Sequence, residues 1–397
     1  MDSQPNRNIQ GLMLHGAVGT LAATLSSVFS AVFLIHVGLA SVQIFLAFAA
    51  ILALRFIIRP VVLIAAPAMG LRRALVLGTV LSSLSCPLLA LVDGVGIALA
   101  LFIAVSALGQ VFYCTCYHVF FSALGNAERR GRQIGLMQAL GAVAALAGPG
   151  IGGLLLTTVG PWAAFGTAFL VGLAAILPLL QIDEPQVPRT MPVGAYGAAT
   201  NAVRLYFADG WIQVSLTTAW SIVMFQALGG RYDSFGGTLS LAALAGAIGG
   251  LMFGRMIDKG RTRPAVWLNA AVLAVGLVLR SATFGHAVAV VAVAVGTTML
   301  SGLYLPSWMT PVYNEAKNSP CSLRFQFAAE GGWDARGRHC GGNLFLRATC
   351  RGRDSAGTAD GLGTGAAARP ILCVAIPRGG GDVGRVTVGT NLSPASA

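Results

Sequence analysis

The sequence predicts an all-α fold, a polytopic membrane helical bundle made of two pseudo-repeated halves. Three observations carry this. Of 397 residues, 55% are apolar and only 10% are charged, with a mean hydropathy of +0.74. A soluble domain carries about 25% charged residues, so a water-facing surface cannot be assembled from this composition. Ten apolar stretches are long enough to cross about 30 Å of hydrocarbon as helices. Finally, the basic residues gather in alternate loops.

The ten spans fall at residues 11–35, 40–66, 73–93, 95–123, 134–158, 162–182, 207–229, 235–256, 265–284 and 287–309. The opening segment, MDSQPNRNIQ, lacks the basic stretch and small-residue cleavage site of a secretory signal, so the first apolar run reads as an uncleaved span. Residues 183–206, with Asp183, Glu184, Pro185, Pro188 and Pro192, are the longest polar connection between spans and read as a cytoplasmic linker. It divides a first half, 1–182, from a second half, 207–334.

Orientation follows from charge. With the N-terminus inside, the cytoplasmic segments hold Arg7, Arg72, Arg73, Arg129, Arg130, Arg132, Arg189, Arg204, Arg255, Lys259, Arg261, Arg263, Lys317 and Arg324. The opposite side holds Arg231 and Arg280. Basic loops stay on the cytoplasmic side during insertion, and Trp162, Trp211, Trp267 and Trp308 stand near span ends as interfacial anchors. The net charge of +12 therefore orients helices and calls for no nucleic acid. Lipid and a small-molecule solute are the implied partners of a monomeric chain in a plasma membrane, a bacterial inner membrane.

In the eighth span Ala242, Gly246, Gly250 and Gly254 recur every fourth residue, a smooth stripe that lets two membrane helices approach closely. The span ends in Gly254-x-x-x-Asp258-Lys259-Gly260-Arg261-x-Arg263. This run resembles the loop signature of the major facilitator superfamily of transporters, which joins helices 2 and 3 of each six-helix half, although it is one residue tighter than the usual spacing. The chain repeats itself at nearly one offset. Gly70-Leu71-Arg72-Arg73 precedes Gly260-Arg261 by about 190 residues, and Tyr117-His118 precedes Tyr313-Asn314 by 196. Parallel repeats of this kind fit that class. In the fifth span Gly148-Pro149-Gly150-Ile151-Gly152-Gly153 resembles the Gly-Pro-x-x-Gly-Gly segment of drug efflux members. Pro149 removes one helical hydrogen bond and bends the span, and the glycines permit close packing.

The chain also departs from that pattern. Pro67 and Ala68 stand where the first loop's acidic residue is expected, and Gly109-Gln110 stands where many proton-coupled members carry an arginine. The resemblance implies twelve helices, yet residues 335–397 hold eight arginines, thirteen glycines and no span-length apolar run. That stretch reads as a low-complexity, disordered tail. A reading-frame change near Ala335 is the preferred account of it, and it would leave the second half incomplete.

Candidate functional groups are few. The fourteen acidic residues lie outside the spans or at their edges, so no membrane-embedded carboxylate is expected. His15 and His118 remain as titratable groups for proton coupling or for simple packing. Arg55 and Arg59 lie one turn apart in the second span. Each costs about 2.5–3.5 kcal/mol at the bilayer centre. They either snorkel to the interface or face a cavity or gate and favour an anion. Gln110, Tyr113, Gln226 and Tyr304 are further candidates for substrate binding or gating, and Gln43, Gln138 and Trp220 for polar lining. Cys114-x-Cys116 with His118 is not a metal site, because helical positions two apart point in different directions. No cofactor and no enzymatic chemistry are implied. The resemblance implies a secondary transporter that works by alternating access, possible in the efflux direction, with a truncated non-transporting homologue as the alternative.

Overall fold

The computed structural model describes residues 3–125, 130–186, 192, 194–258, 262–283, 285–300 and 304–334. Fifteen α-helices occur among these residues, and no strand. The first half contains α1 (Ser3–Ser26), running through a 3₁₀ turn into α2 (Ser30–His36), then α3 (Ser41–Ile58), α4 (Pro60–Met69), α5 (Leu71–Ala90), α6 (Ile97–Leu124), α7 (Arg130–Thr158), α8 (Pro161–Ala174) and α9 (Ile176–Leu179). The second contains α10 (Thr200–Ala227), α11 (Tyr232–Asp258), α12 (Thr262–Ala282), α13 (Ala287–Leu300), α14 (Tyr304–Asn318) and α15, residues 322–334.

Among the described residues six segments are long and apolar enough to cross a membrane, all in the first half: Arg7–His36, Ser41–Ile58, Leu71–Ala90, Ile97–Leu124, Leu136–Thr158 and Pro161–Leu179. Their succession matches the six expected spans of residues 1–182. In the second half α10, α11 and α12 have 28, 27 and 21 residues. At about 1.5 Å per residue each is long enough to span the hydrocarbon.

Three expectations need correction. The second span is not one helix. Pro60 has no N–H to continue the ladder, so α3 ends at Ile58, Arg59 stands at the junction, and α4 restarts with Pro60 in its first turn. The linker is shorter than expected, because α10 begins at Thr200. Residues 310–334 lie beyond the last of the expected spans, yet they hold the end of α14 and all of α15. The 335–397 stretch and its disorder and frame-change readings lie outside the described residues, as do Lys259, Gly260 and Arg261 of the loop signature. Gly254 and Asp258 end α11 and Arg263 opens α12.

The linker also accounts for a missing acid. Glu184 Oε1 accepts the backbone N–H of Arg72 at 3.1 Å, at the start of α5. A carboxylate here satisfies a free helix N–H and complements the positive end of the helix. Pro67 and Ala68 supply none, and the linker does.

The halves meet in two separate seams, each with an apolar core. At the linker end, Tyr117, Phe120, Phe121 and Ile134 pack in one core with Met309, Val312, Tyr313, Leu323 and Phe325, alongside Ile182, Ala195 and Ala199 of the connecting segment. At the distal end, Leu25, Phe29, Val32 and Leu156 share a core with Ile222, Phe225, Tyr232, Phe235 and Val290.

Glycine permits the distal contact. A Cβ on Gly152 would lie 2.5 Å from the backbone oxygen of Leu25 in α1, and one on Gly148 would strike Thr24. On the other side, a Cβ on Gly153 would strike the backbone of Tyr232, and Gly236 sits against the Pro149 carbonyl. α7 is thus clamped between α1 and α11 at backbone range, and Pro149 lies inside one unbroken helix. The eighth-span stripe serves a similar purpose within the second half. Gly246 faces Thr298 of α13, and a Cβ there would lie 3.0 Å from its methyl. The tightest approach is one position off the expected stripe, at Gly249 against the Met299 backbone.

Candidate functional site

Arg55 closes the last turn of α3, and Arg59 follows one turn later at the α3–α4 junction, so both guanidinium groups project from one side of the chain. Both are buried, at 4% and 2% exposure. The snorkelling alternative is therefore overturned. Their partners come from the other half, on α15, beyond the last of the expected spans.

On α15, Glu330 and Asp334 also stand four residues apart and share a face. Arg55 Nη2 lies 3.2 Å from Asp334 Oδ1 and 3.5 Å from Glu330 Oε2. Arg59 donates from Nε to Asp334 Oδ2 at 3.1 Å, and its Nη2 also contacts that oxygen. Glu330 and Asp334 are 4% and 0% exposed. Two cations one turn apart thus face two anions one turn apart, and the cluster is charge-balanced. Removing four ions from water is expensive, and close pairing is what makes it tolerable. The expectation that no carboxylate enters the bundle is corrected by these two residues.

α6 completes the shell. Arg55 Nη1 donates to Gln110 Oε1 at 2.7 Å, and Arg59 Nη1 reaches Thr115 Oγ1 at 3.4 Å. His118, two turns beyond Gln110, bridges the halves through both ring nitrogens. Nε2 lies 3.2 Å from Glu330 Oε1, and Nδ1 lies 2.6 Å from the Tyr313 hydroxyl. The Trp333 ring covers Arg55 at 5.1 Å and donates through Nε1 to Asp209 Oδ2 of α10 at 3.0 Å. Gly210 and Gly332 allow that approach, since a Cβ on either would lie within 2.7 Å of backbone oxygen.

Of the sequence-derived candidates, the structure brings Arg55, Arg59, Gln110 and His118 together. Tyr113 lies elsewhere, stacked on Tyr117 at 5.7 Å and beside His15. His15 is fully buried, and its Nδ1 lies 2.7 Å from the Ala175 carbonyl. Gln226 is exposed near the distal end of α10, away from the cluster. Gln43 caps α3 by accepting the Ala40 N–H at 2.9 Å. Tyr304 opens α14, and its side chain lies outside the described residues. Glu330, Asp334, Thr115 and Trp333 were missed. The available signal was a matched spacing, since Arg-x-x-x-Arg at 55 and 59 mirrors Glu-x-x-x-Asp at 330 and 334. Among the described residues no three His, Cys, Asp or Glu side chains converge as metal ligands would.

The family model described as Major Facilitator Superfamily matches residues 11–319. The chain belongs to the Major Facilitator Superfamily. Two solved structures share its fold. The human organic anion transporter MFSD10 (TETRAN) superposes with a TM-score of 0.61 at 14% identity, over 87% of this chain and 95% of that one. The E. coli fucose:proton symporter FucP superposes with a TM-score of 0.58 at 16% identity, over 89% and 93%. No curated protein sequence matches. As a superfamily member the chain is an integral, multi-pass membrane protein, and its charged cluster ties the α3–α6 side of one half to α15 of the other.

Proposed function

We propose that this superfamily member is a secondary transporter that moves a small solute by rocking its two halves. The buried Arg55/Arg59–Glu330/Asp334 cluster is the latch of the linker end, taken as the cytoplasmic end from its basic loops. The observation that carries this reading is that the halves meet through two distinct seams. The linker-end seam is ionic with an aromatic surround, and the distal seam is apolar and glycine-lined. Rocking must open one seam at a time, and an ionic latch suits a surface that meets water when it opens, because the separated charges are then hydrated rather than stranded. The Gly148-Pro149 and Gly152-Gly153 segment at the distal seam supports export as the direction and the plasma membrane as the site.

Flux in reconstituted vesicles tests the reading. Cysteine pairs replace Phe121 and Tyr313, whose rings stand 4.7 Å apart at the linker end, or Gly153 and Tyr232 at the distal end. Cross-linking either pair should stop flux, and reduction should restore it. Flux that continues through a fully cross-linked pair would overturn the mechanism. A wild-type chain that moves no anionic, neutral or cationic solute would favour the non-transporting homologue.

A further inference from the structure

The second half contains a cation that the latch does not balance. Arg280 sits in the last turn of α12, near the distal end. It shares the buried side of that helix with Val272 and Gly276, its neighbours at four-residue spacing. A snorkelling arginine there would extend outward to the nearby interface. This one turns inward. Its Nη2 lies 3.3 Å from Thr297 Oγ1 of α13, and its guanidinium lies 5.0 Å from the ring centroid of Trp220, in the body of α10. Thr297 also marks the depth. A Cβ on Gly276, one turn earlier in α12, would lie 2.6 Å from the Thr297 methyl, so the charged head reaches back to the level of Gly276. Side chains on a helix lean toward its N-terminus, which allows this reach.

Among the described residues of α10 to α13, no carboxylate ion-pairs with it. α12 and α13 contain no acidic residue, and α10 contains only Asp209, which accepts from Trp333. α11 contains Asp233, ion-paired with Arg231, and Asp258, at the opposite end of that helix. Among the described residues, Arg280 makes no ion pair, and its Nε is buried without a hydrogen-bond partner. An arginine presents five donors, so most of this fork is free to bind. A lone guanidinium at membrane depth is costly and marks a substrate or ion pathway.

We propose that Arg280 binds the negatively charged group of the transported solute, a small organic carboxylate or sulfonate. Thr297 orients the fork, and Trp220 offers an apolar face to a flat body attached to the anion. The inference rests on the transporter reading and adds the substrate class to it. A planar fork matches a two-oxygen anion through paired hydrogen bonds, and a lysine cannot reproduce that geometry.

The test uses the full chain in lipid nanodiscs, with benzoate, benzenesulfonate and the neutral isostere benzamide as probes and empty nanodiscs as the blank. Calorimetric binding and the shift in melting temperature are read together with vesicle flux. Benzoate and benzenesulfonate should bind and raise the melting temperature, and benzamide should do neither. Arg280→Gln should weaken both anions at least about tenfold, as loss of a charged hydrogen-bond partner does. Should Arg280→Gln not fold, Arg280→Lys carries the test, and it should weaken benzoate several-fold. The proposal is overturned if neither anion binds, if benzamide binds as tightly as benzoate, or if the folded Arg280 variant binds anions unchanged. Anion binding without flux of any solute would remove the transporter reading and keep the site. Benzoate flux indifferent to Arg280→Gln would do the reverse.

Discussion

Arg59 Nε and Asp334 Oδ2 lie 3.1 Å apart across 275 residues of sequence. That contact joins the α3–α4 junction of one half to α15 of the other, in a site closed to water. It predicts strong non-additivity. Asp334→Asn alone leaves an uncompensated buried guanidinium and should destabilise the folded protein by about 3–5 kcal/mol. Arg59→Gln should do likewise. The double variant should recover part of the loss, a coupling of roughly 0.5–3 kcal/mol. Denaturation of all four proteins in nanodiscs checks this, and simple addition of the two single effects would contradict the pairing.

His118 holds Glu330 and Tyr313 at once. His118→Phe preserves the ring's bulk and removes both contacts, the one to Glu330 Oε1 and the one to the Tyr313 hydroxyl. It should cost more than Tyr313→Phe, which leaves His118 paired with Glu330. Each buried polar group stranded costs about 1–3 kcal/mol. Melting curves for the two variants should fall in that order, with His118→Phe lower.

The distal seam should respond to one small added side chain. Gly153→Val places atoms into the Tyr232 backbone, whereas Gly237, close by on α11, has open space around a built Cβ. Gly153→Val should therefore hold the distal end apart and expose a reporter cysteine at position 235 to a water-soluble maleimide. Gly237→Val should leave that labelling unchanged.

Within the second half, Gly249 meets the Met299 backbone, while Gly296 has no neighbour within 4 Å of a built Cβ. Gly249→Val forces α11 away from α13. Overpacking of this kind typically costs about 1–3 kcal/mol, and more where the obstacle is backbone. Fluorescence size-exclusion should show loss of the folded peak for Gly249→Val and retention for Gly296→Ala.

What the sequence revealed depended on how local the signal was. The six spans of the first half are continuous apolar runs of 18–30 residues, so composition alone located them. The close glycine packing of α7 was legible because small residues at helical spacing have one main use in a membrane. α15 was not. Its segment Ser322-Leu323-Arg324-Phe325-Gln326-Phe327 carries mixed polarity, and Gly331-Gly332 lowers its helical propensity, so nothing local separated it from a loop. Its helical state depends on tertiary contact, with Gly332 seated on Val203 of α10 and two acids neutralised from α3. The inward turn of Arg280 was hidden for another reason. Position near a span end predicts the depth of a backbone atom, and a long side chain can travel about a helical turn in either direction from it.

The reach of the Arg59–Asp334 pair also sets an order on biosynthesis. Ribosomes add about 5–20 residues per second, so tens of seconds separate the emergence of the two guanidinium groups from that of their carboxylates, 275 positions later. Through that interval the nascent first half must shelter a double positive charge at the translocon or the lipid surface. Any lesion that delays or removes α15 leaves a charged intermediate for membrane proteases to recognise, and such lesions should act on cellular abundance before they act on turnover.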